Sequence, residues 1–247
     1  MTNVVGPRAV FGVIVPSTNT VVEHDYWKAG VEGVAFRAGS MYIPDPSING
    51  DEGFKALLTQ IRGSIDDAVR DVLTAEPERM VMGMSAETFW GGTEGNRAFE
   101  ERIGKRTGLP VTTGASACRE ALRALKVKKI AVFSPYQPIA DKEVGNFFTE
   151  AGFEVTSITG LRCPTAMDIA RVEEPRLREV IAQIDSPEAE AIVQVGTNLS
   201  FVKHAETFEA ELGKPVVAIN AATLWHSLRE HGIDDQVSGS GTLLREY

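Results

Sequence analysis

A cluster of reactive side chains follows the apolar segment Val81–Met84. Ser85, Glu87 and Thr88 place two hydroxyl groups and one carboxyl group where a buried strand would end. A carboxyl group at the mouth of a closed apolar site can act as a general acid or base, because desolvation favours its neutral form. Glu87 is therefore a catalytic candidate, the alternative being an outward salt bridge or a cap on the following turn. Ser85 is a second candidate, as a nucleophile or as an oxyanion donor.

A second polar segment, Val-Pro-Ser-Thr-Asn-Thr at residues 15–20, follows a β-branched run that predicts a strand. Ser17, Thr18, Asn19 and Thr20 stand where a helix would begin, and free N–H groups and the helix dipole favour a carboxylate or phosphate there. Ordinary N-capping by Ser, Thr or Asn is the alternative explanation. Four hydroxyl and amide side chains in a row exceed what one cap requires.

Two further predicted strands also end in polar residues. Tyr136 lies between two prolines in Ser-Pro-Tyr-Gln-Pro at residues 134–138. Its phenol can donate to a substrate oxygen or act as an acid, and the alternative is a half-buried ring covering a helix start. Thr197, Asn198 and Ser200 end the other strand, with turn and cap chemistry as the alternative. Tyr136 and Thr197 are further catalytic candidates, and Asn198 is a candidate for substrate binding.

The sequence alternates short β-branched runs with helical patterns, which is typical of βαβ units and a mainly parallel sheet. We therefore predict an α/β fold. Strands are expected at 9–15, 34–43, 79–85, 110–113, 129–134, 154–160, 190–196 and 215–219. Helices are expected at 19–29, 53–74, 94–107, 115–126, 138–151, 174–185, 200–212 and 221–231.

The two halves of the chain resemble each other at three places, in the same order. Each pair of similar segments contains a strand and the turn that leads into a helix, and repeated order of this kind indicates an internal duplication. The three pairs are 107–125 with 212–230, 9–20 with 129–140, and 78–89 with 190–201.

Duplication predicts two Rossmann-like (flavodoxin-like) lobes with mainly parallel sheets, related by a pseudo-two-fold axis. We expect residues 1–115 and 221–247 to form the first lobe and residues 116–220 to form the second. Open parallel sheets bind ligands at the carboxyl ends of their strands, so facing lobes would enclose an active site. The segments expected to meet there are 16–20, 85–88, 134–138 and 196–200.

Composition excludes several classes of partner. The 247 residues include 25 basic and 34 acidic ones, and the net charge of −9 argues against nucleic acid or anionic membranes as partners. Cys118 and Cys163 offer neither a disulfide framework nor a zinc pattern. No apolar stretch approaches the ~18 residues needed to cross a bilayer. We expect a protein of the reducing cytoplasm.

Cofactor motifs give a further prediction. Neither a Gly-x-Gly-x-x-Gly run nor a Gly-x-x-x-x-Gly-Lys-Ser/Thr run follows a predicted strand, which argues against nicotinamide, flavin and nucleoside triphosphates. No His-Glu-x-x-His run occurs, and the histidines fall mostly on predicted helices, where surface or structural roles are common. We therefore expect no cofactor and no metal.

Four segments resemble a known family: GVIVPSTNTVVE, GLPVTTGASA, KIAVFSPYQP and the closing VSGSGTLL. They are similar to the maleate isomerase and arylmalonate decarboxylase branch of the aspartate/glutamate racemase superfamily, over nearly the whole chain. The resemblance implies a two-lobed α/β fold, a site between the lobes, no cofactor, and small mono- or dicarboxylate substrates held by backbone N–H and hydroxyl groups.

Carried to this sequence, the resemblance implies that Asn19 binds a substrate carboxylate and that Pro16 and Ser17 shape its loop. It also implies that Tyr136 binds or polarises a second oxygen. Thr88 and Ser134, which stand in the same strand-end segments, are further candidates for substrate binding.

The chain departs from the family at its two active cysteines. Where the family has them, this sequence reads Ser85-Ala86 and Gly196-Thr197. Family chemistry depends on a thiolate whose pKa lies near neutrality, and serine and threonine hydroxyls have far higher pKa values. Cys163, in the loop Leu-Arg-Cys-Pro-Thr-Ala, stands at a different position and could border the site. We therefore expect chemistry that does not use cysteine.

Three functions remain open on the sequence. The first is a cofactor-independent isomerase or lyase that acts on a small carboxylate through an enolate-like intermediate. The second is a hydrolase of a small cyclic amide, lactone or imine, and the third is a carboxylate-binding protein without turnover. A homo-oligomer is also open, and its interface could include Trp27, Phe36, Trp90 and Trp225.

Overall fold

Two four-stranded parallel sheets form the framework of the chain, and the computed structural model describes residues 3–247. The strand order is β2-β1-β3-β4 in one sheet and β6-β5-β7-β8 in the other. All eight predicted strands are present. They are β1 Ala9–Pro16, β2 Val34–Met41, β3 Arg79–Met82, β4 Val111–Thr113, β5 Lys129–Ser134, β6 Glu154–Gly160, β7 Ala191–Gln194 and β8 Val216–Ala218.

Helices cover the sheets, which explains why the central strands are continuous apolar runs rather than alternating ones. The eight predicted helices are present, together with three short ones that carry too few turns for a periodic pattern. In order they are α1 Val22–Ala29, α2 Gly50–Leu73, α3 Ala86–Phe89, α4 Gly92–Thr107, α5 Gly114–Ala124, α6 Pro138–Glu150, α7 Ala166–Ala170, α8 Glu174–Ile184, α9 Ala205–Leu212, α10 Ile219–Glu230 and α11 Thr242–Glu246.

The second sheet repeats the topology of the first, as the duplication predicts. The order 6-5-7-8 is the order 2-1-3-4 displaced by four strands. Equivalent residues also make equivalent contacts: Glu78 accepts a hydrogen bond from the N–H of Val10 at 3.0 Å, and Glu190 accepts one from the N–H of Lys129 at 3.0 Å. The prediction of two related α/β lobes is confirmed.

Helices α5 and α10 meet at equivalent positions of the two repeats, as expected beside a pseudo-two-fold axis. Gly114 begins α5 and Ile219 begins α10, and a Cβ on Gly114 would lie 2.7 Å from Ile219 Cδ1. Both helices contact β4 and β8, one strand from each sheet. The boundaries proposed for the lobes, 1–115 with 221–247 and 116–220, stay a prediction.

The aromatic residues considered for an oligomer interface differ in exposure. Trp27 is 52% exposed, Phe36 and Trp90 are partly buried, and Trp225 is only 7% exposed. Homo-oligomer formation stays a prediction, and Trp225 has little free surface to contribute to it.

Within residues 3–247, none of the helices is both long enough and apolar enough to pass through a lipid bilayer.

Gly114→Val should destabilise the protein, because the new side chain must enter the space that Ile219 fills. Overpacking of this kind costs about 1–3 kcal/mol, which corresponds to a fall in Tm of roughly 2–4 °C per kcal/mol in a chain of this size. Differential scanning calorimetry measures the change. Gly145→Val in α6 is the matched control, since a Cβ there meets no atom within 4 Å. Equal Tm values for the two variants would contradict the close contact between α5 and α10.

Candidate active site

The carboxyl ends of β1, β3, β5 and β7 surround one cavity between the two sheets. Its volume is about 60 Å³, enough for four to six water molecules at roughly 10–15 Å³ each, and so for a small organic molecule. The four strand-end segments expected to meet do so here. The lining residues are Pro16, Thr18, Asn19, Leu57, Ile61, Met84, Ser85, Ala86, Tyr136, Ala166, Ile169, Gly196, Thr197 and Asn198.

One wall of the cavity is a chain of hydrogen-bonded groups that crosses between the lobes. The hydroxyls of Ser85 and Tyr136 are hydrogen-bonded to each other, and the N–H of Thr197 donates to Ser85 Oγ at 3.2 Å. The Thr197 hydroxyl donates to the carbonyl of Gly83 at 3.0 Å. Ser85 and Thr197 occupy equivalent positions of the two repeats, so the contact lies where the two strand ends face each other.

Asn19 and Asn198 both line the cavity, and both also form hydrogen bonds within the protein. Asn19 Oδ1 accepts from the N–H groups of Val21 and Val22 at the start of α1, while its Nδ2 donates to Thr197 Oγ1 at 3.3 Å. The amide of Asn198 donates to the carbonyl of Ala166 at 2.8 Å. Asn198 therefore builds the loop beside the cavity, and Asn19 caps a helix and also presents a donor near Thr197.

The apolar part of the lining comes largely from residues that the sequence analysis did not identify. Leu57 and Ile61 come from α2, Ile169 from the short helix α7, and Met84 from the segment between β3 and α3. Apolar residues at helical spacing predict burial but do not show whether they face the core or a cavity. For α7 the sequence carries no periodic signal, because the helix has only five residues.

Glu87 does not line the cavity, which corrects its assignment as a catalytic candidate. Its carboxylate accepts from Arg62 Nε of α2 at 2.8 and 3.0 Å. A salt bridge, part of the alternative considered for this residue, is the arrangement found, although the Glu87 side chain is buried. Thr88 is also turned away: its hydroxyl donates to the Ser85 carbonyl at 2.7 Å and stabilises the first turn of α3.

Ser17 and Ser134, both expected to bind substrate, likewise lie outside the cavity lining. Ser17 Oγ accepts from the N–H of Ile43 at 3.1 Å, and Ser134 Oγ accepts from the N–H of Tyr136 at 2.9 Å. Ser17 and Tyr136 each follow a proline at the end of the first strand of a repeat. Only Tyr136 of this pair reaches the cavity.

Both cysteines lie away from the cavity lining. Cys118 is fully buried inside α5, and burial raises the pKa of its thiol well above the usual value. Cys163 is 5% exposed, and burial raises the pKa of its thiol to about 11. Neither thiol is therefore among the groups that line the cavity, and burial disfavours the thiolate form of both.

The cavity wall is electrically neutral. Among the described residues, those that line it include no Asp, Glu, Lys, Arg or His. Burial raises the pKa of the Tyr136 phenol above its ordinary value, so the group is a neutral donor at pH 7. Hydroxyl and amide donors that are held in place in this way can stabilise negative charge on a bound molecule.

Comparison with known proteins adds independent evidence about the family. The profile of the arylmalonate decarboxylase family matches residues 11–244. A maleate isomerase from Pseudomonas putida is 28% identical over 94% of this chain and 96% of its own length. An arylmalonate decarboxylase from Bordetella bronchiseptica is 27% identical over 73% of this chain and 75% of its own length.

Solved structures agree with the fold. A maleate isomerase from Pseudomonas putida S16, solved with maleate, superposes with a TM-score of 0.86 at 25% identity and covers 96% of this chain and 97% of that one. A maleate cis-trans isomerase from Nocardia farcinica, solved with a covalently bound succinylcysteine intermediate, gives a TM-score of 0.85 at 24% identity, with 97% and 99% covered.

Iodoacetamide should alkylate Cys163 in the folded protein on the order of a hundredfold more slowly at pH 8 than an ordinary cysteine, because only the thiolate reacts. The thiol pKa of about 11 leaves little thiolate at that pH, so the rate should rise as the pH approaches 11. Mass spectrometry of the peptide that contains Cys163 follows the reaction. In urea both thiols should react at ordinary rates, and rapid labelling of folded protein at pH 7 would contradict the buried position.

Proposed function

Because the chain belongs to the arylmalonate decarboxylase family, we propose that it is a cofactor-independent enzyme that removes CO₂ from a small carboxylate through an enolate-like intermediate. The observation that carries the proposal is a cavity lined only by apolar side chains and neutral hydrogen-bond donors. Decarboxylation suits such a site, since it begins from an ionised substrate and needs no ionised base.

The apolar side chains of the cavity would act on the carboxylate group that is lost as CO₂. A carboxylate held beside Leu57, Ile61 and Ile169 loses its hydration, whereas the CO₂ formed from it is uncharged and needs none. The electron pair of the broken C–C bond passes to the neighbouring carbon and the carbonyl or carboxylate attached to it. Loss of CO₂ is therefore favoured where the carboxylate group contacts apolar side chains.

The hydrogen-bond donors of the cavity would stabilise the negative charge that develops on the intermediate. Tyr136, Ser85 and Asn19 can donate hydrogen bonds to the enolate oxygens, in place of the cationic groups that other sites use. Removal of a single donor of this type costs roughly a hundredfold or more in kcat in enzymes that stabilise an oxyanion. The neutral wall thus matches an intermediate that brings its own negative charge.

Protonation completes the reaction, and the hydrogen-bonded pair Tyr136–Ser85 supplies the candidate donor. The carbanionic carbon takes the phenol proton, the resulting tyrosinate regains a proton from water, and the net reaction consumes one proton. Although burial makes the phenol a weak acid, the carbon of an enolate is a much stronger base. The proposal therefore uses no cysteine, and Tyr136, Ser85 and Thr197 stand where the reaction would occur.

Isomerisation of a small unsaturated carboxylate is the second candidate. It is favoured by the relatives from Pseudomonas putida and Nocardia farcinica, both maleate isomerases that match over most of this chain. Isomerisation through covalent addition would need a nucleophile, and the cavity lining holds no carboxylate, imidazole or amine that could activate the Ser85 hydroxyl. The hydrolase and the binding protein without turnover gain no support from these relatives.

The first test is incubation of the enzyme with a panel of substituted malonates and cis-unsaturated dicarboxylates. We expect release of CO₂ and, in D₂O, incorporation of one deuterium at the carbon that lost it, both visible by NMR. Conversion of a cis to a trans dicarboxylate without CO₂ release would favour the isomerase instead. Binding without conversion across the panel would contradict both proposals.

Tyr136→Phe should lower kcat by at least about a hundredfold, the low end of a general acid–base contribution. Glu87→Gln is the control, and it should change kcat by less than about threefold, because Glu87 pairs with the half-exposed Arg62 outside the cavity. Steady-state kinetics on the substrate identified above measures both. A large loss in the Glu87 variant with full activity in the Tyr136 variant would reverse the assigned roles.

A further inference from the structure

We propose that Asp141 and Arg162 are positioning residues that fix the backbone of Tyr136 and so hold its phenol against Ser85. The inference rests on the proposed function, because it concerns the same tyrosine. Neither residue lines the cavity, so neither is assigned a contact with substrate. The inference instead follows from the way in which both polar backbone atoms of Tyr136 are connected to one buried carboxylate.

The N–H of Tyr136 is connected to Asp141 through Ser134. It donates to Ser134 Oγ at 2.9 Å, and the Ser134 hydroxyl in turn donates to Asp141 Oδ1. Asp141 lies in the first turn of α6 and is 5% exposed, and Ser134 is fully buried at the end of β5. A buried hydroxyl that both donates and accepts fixes the orientation of the turn between strand and helix.

The carbonyl of Tyr136 is connected to the same carboxylate through Arg162. Arg162 Nη1 donates to the Tyr136 carbonyl at 2.6 Å and also to Asp141 Oδ2. Burial of Asp141 would be costly without a partner, and the guanidinium supplies the charge that compensates it. The peptide groups on both sides of Tyr136 are therefore held by one carboxylate and one guanidinium.

The backbone conformation of Arg162 is unusual for a residue other than glycine. Arg162 has φ +58°, in the left-handed region that non-glycine residues rarely adopt. Glu76 and Lys126, the other non-glycine residues of the described chain with positive φ, lie just after the ends of α2 and α5, where such a conformation is common. Arg162 follows a strand instead, so its conformation needs another cause, and the two hydrogen bonds of its side chain provide one.

Gly160 leaves the space in which the Asp141 carboxylate and the Arg162 guanidinium lie beside the Tyr136 carbonyl. A Cβ at this position would collide with the Asp141 carboxylate, the Arg162 guanidinium and the Tyr136 carbonyl. The loop beyond it is tied to the same turn, since the N–H of Cys163 donates to the Pro135 carbonyl at 3.1 Å. The side chains and the loop together leave Tyr136 little freedom to move away from Ser85.

The test is a double-mutant cycle with Arg162→Met and Tyr136→Phe, measured as steady-state kinetics on the substrate of the enzyme. If Arg162 acts through the phenol, Arg162→Met lowers kcat on the order of tenfold or more with KM nearly unchanged, since small misplacements of a catalytic group are costly. In the Tyr136→Phe background the same change should then cost less than about twofold. Arg162→Lys, which keeps a cation beside Asp141, should restore part of the loss.

Arg178→Met is the matched control, because Arg178 has the same exposure of 43% and also pairs with carboxylates, but on the outer face of α8. It should leave kcat unchanged. Equal losses from Arg162→Met in both backgrounds, or a rise in KM without a fall in kcat, would overturn the positioning role. Full activity of Tyr136→Phe would instead remove the tyrosine from the proposed reaction, so the two failures are distinguishable.

A second measurement does not depend on turnover. In protein carrying ¹³Cζ-tyrosine, the resonance of Tyr136 is assigned by its loss in Tyr136→Phe and reports the hydrogen bond to Ser85. Arg162→Met should move this resonance toward its position in Ser85→Ala, while thermal melting shows that the variant is folded. An unmoved resonance in a folded variant would overturn the inference.

Discussion

The contact between Ser85 and its partners from the other lobe is the constraint on which the site depends. Each parallel sheet is open at its carboxyl end, and a closed cavity forms only where two such ends are held against each other. The Ser85 hydroxyl bonds the Tyr136 hydroxyl and the Thr197 N–H, so one side chain joins β3 to both central strands of the second sheet. Asn220 strengthens the same junction, because its amide donates both to the Thr197 carbonyl and to Asp25 of α1.

Two carboxyl groups near the site, those of Glu87 and Asp141, lie outside the cavity lining, and their positions follow from the cost of burying charge. Glu87 pairs with Arg62 and Asp141 pairs with Arg162, so each carboxylate has a cation at hydrogen-bond distance. An unpaired charge in the wall itself would carry a large desolvation penalty. A charged substrate consequently meets fixed dipoles in a medium of low dielectric, where their effect on the developing charge is strongest.

Much of this arrangement could be predicted from the sequence, because it depends on local patterns. Continuous apolar runs gave the strands, and the repeated segments gave the two sheets and brought Ser85, Tyr136 and Thr197 to one place. The direction of a side chain could not be predicted in the same way. Glu87 stands two residues from Ser85 yet points to Arg62, since a short helix turns it outward. Leu57, Ile61 and Arg162 depend on packing between distant segments, which no local pattern encodes.

The two repeats differ in the side chains that they bring to the cavity. Ser17 and Tyr136 follow equivalent prolines, yet the serine hydroxyl is bound to the N–H of Ile43 while the phenol enters the cavity. The two sheets share one topology, but they contribute different side chains to the cavity. In the proposed reaction, a planar intermediate in this cavity would present one of its faces to Tyr136. Handedness in the product would therefore arise from the different side chains that two lobes of the same topology bring to one cavity.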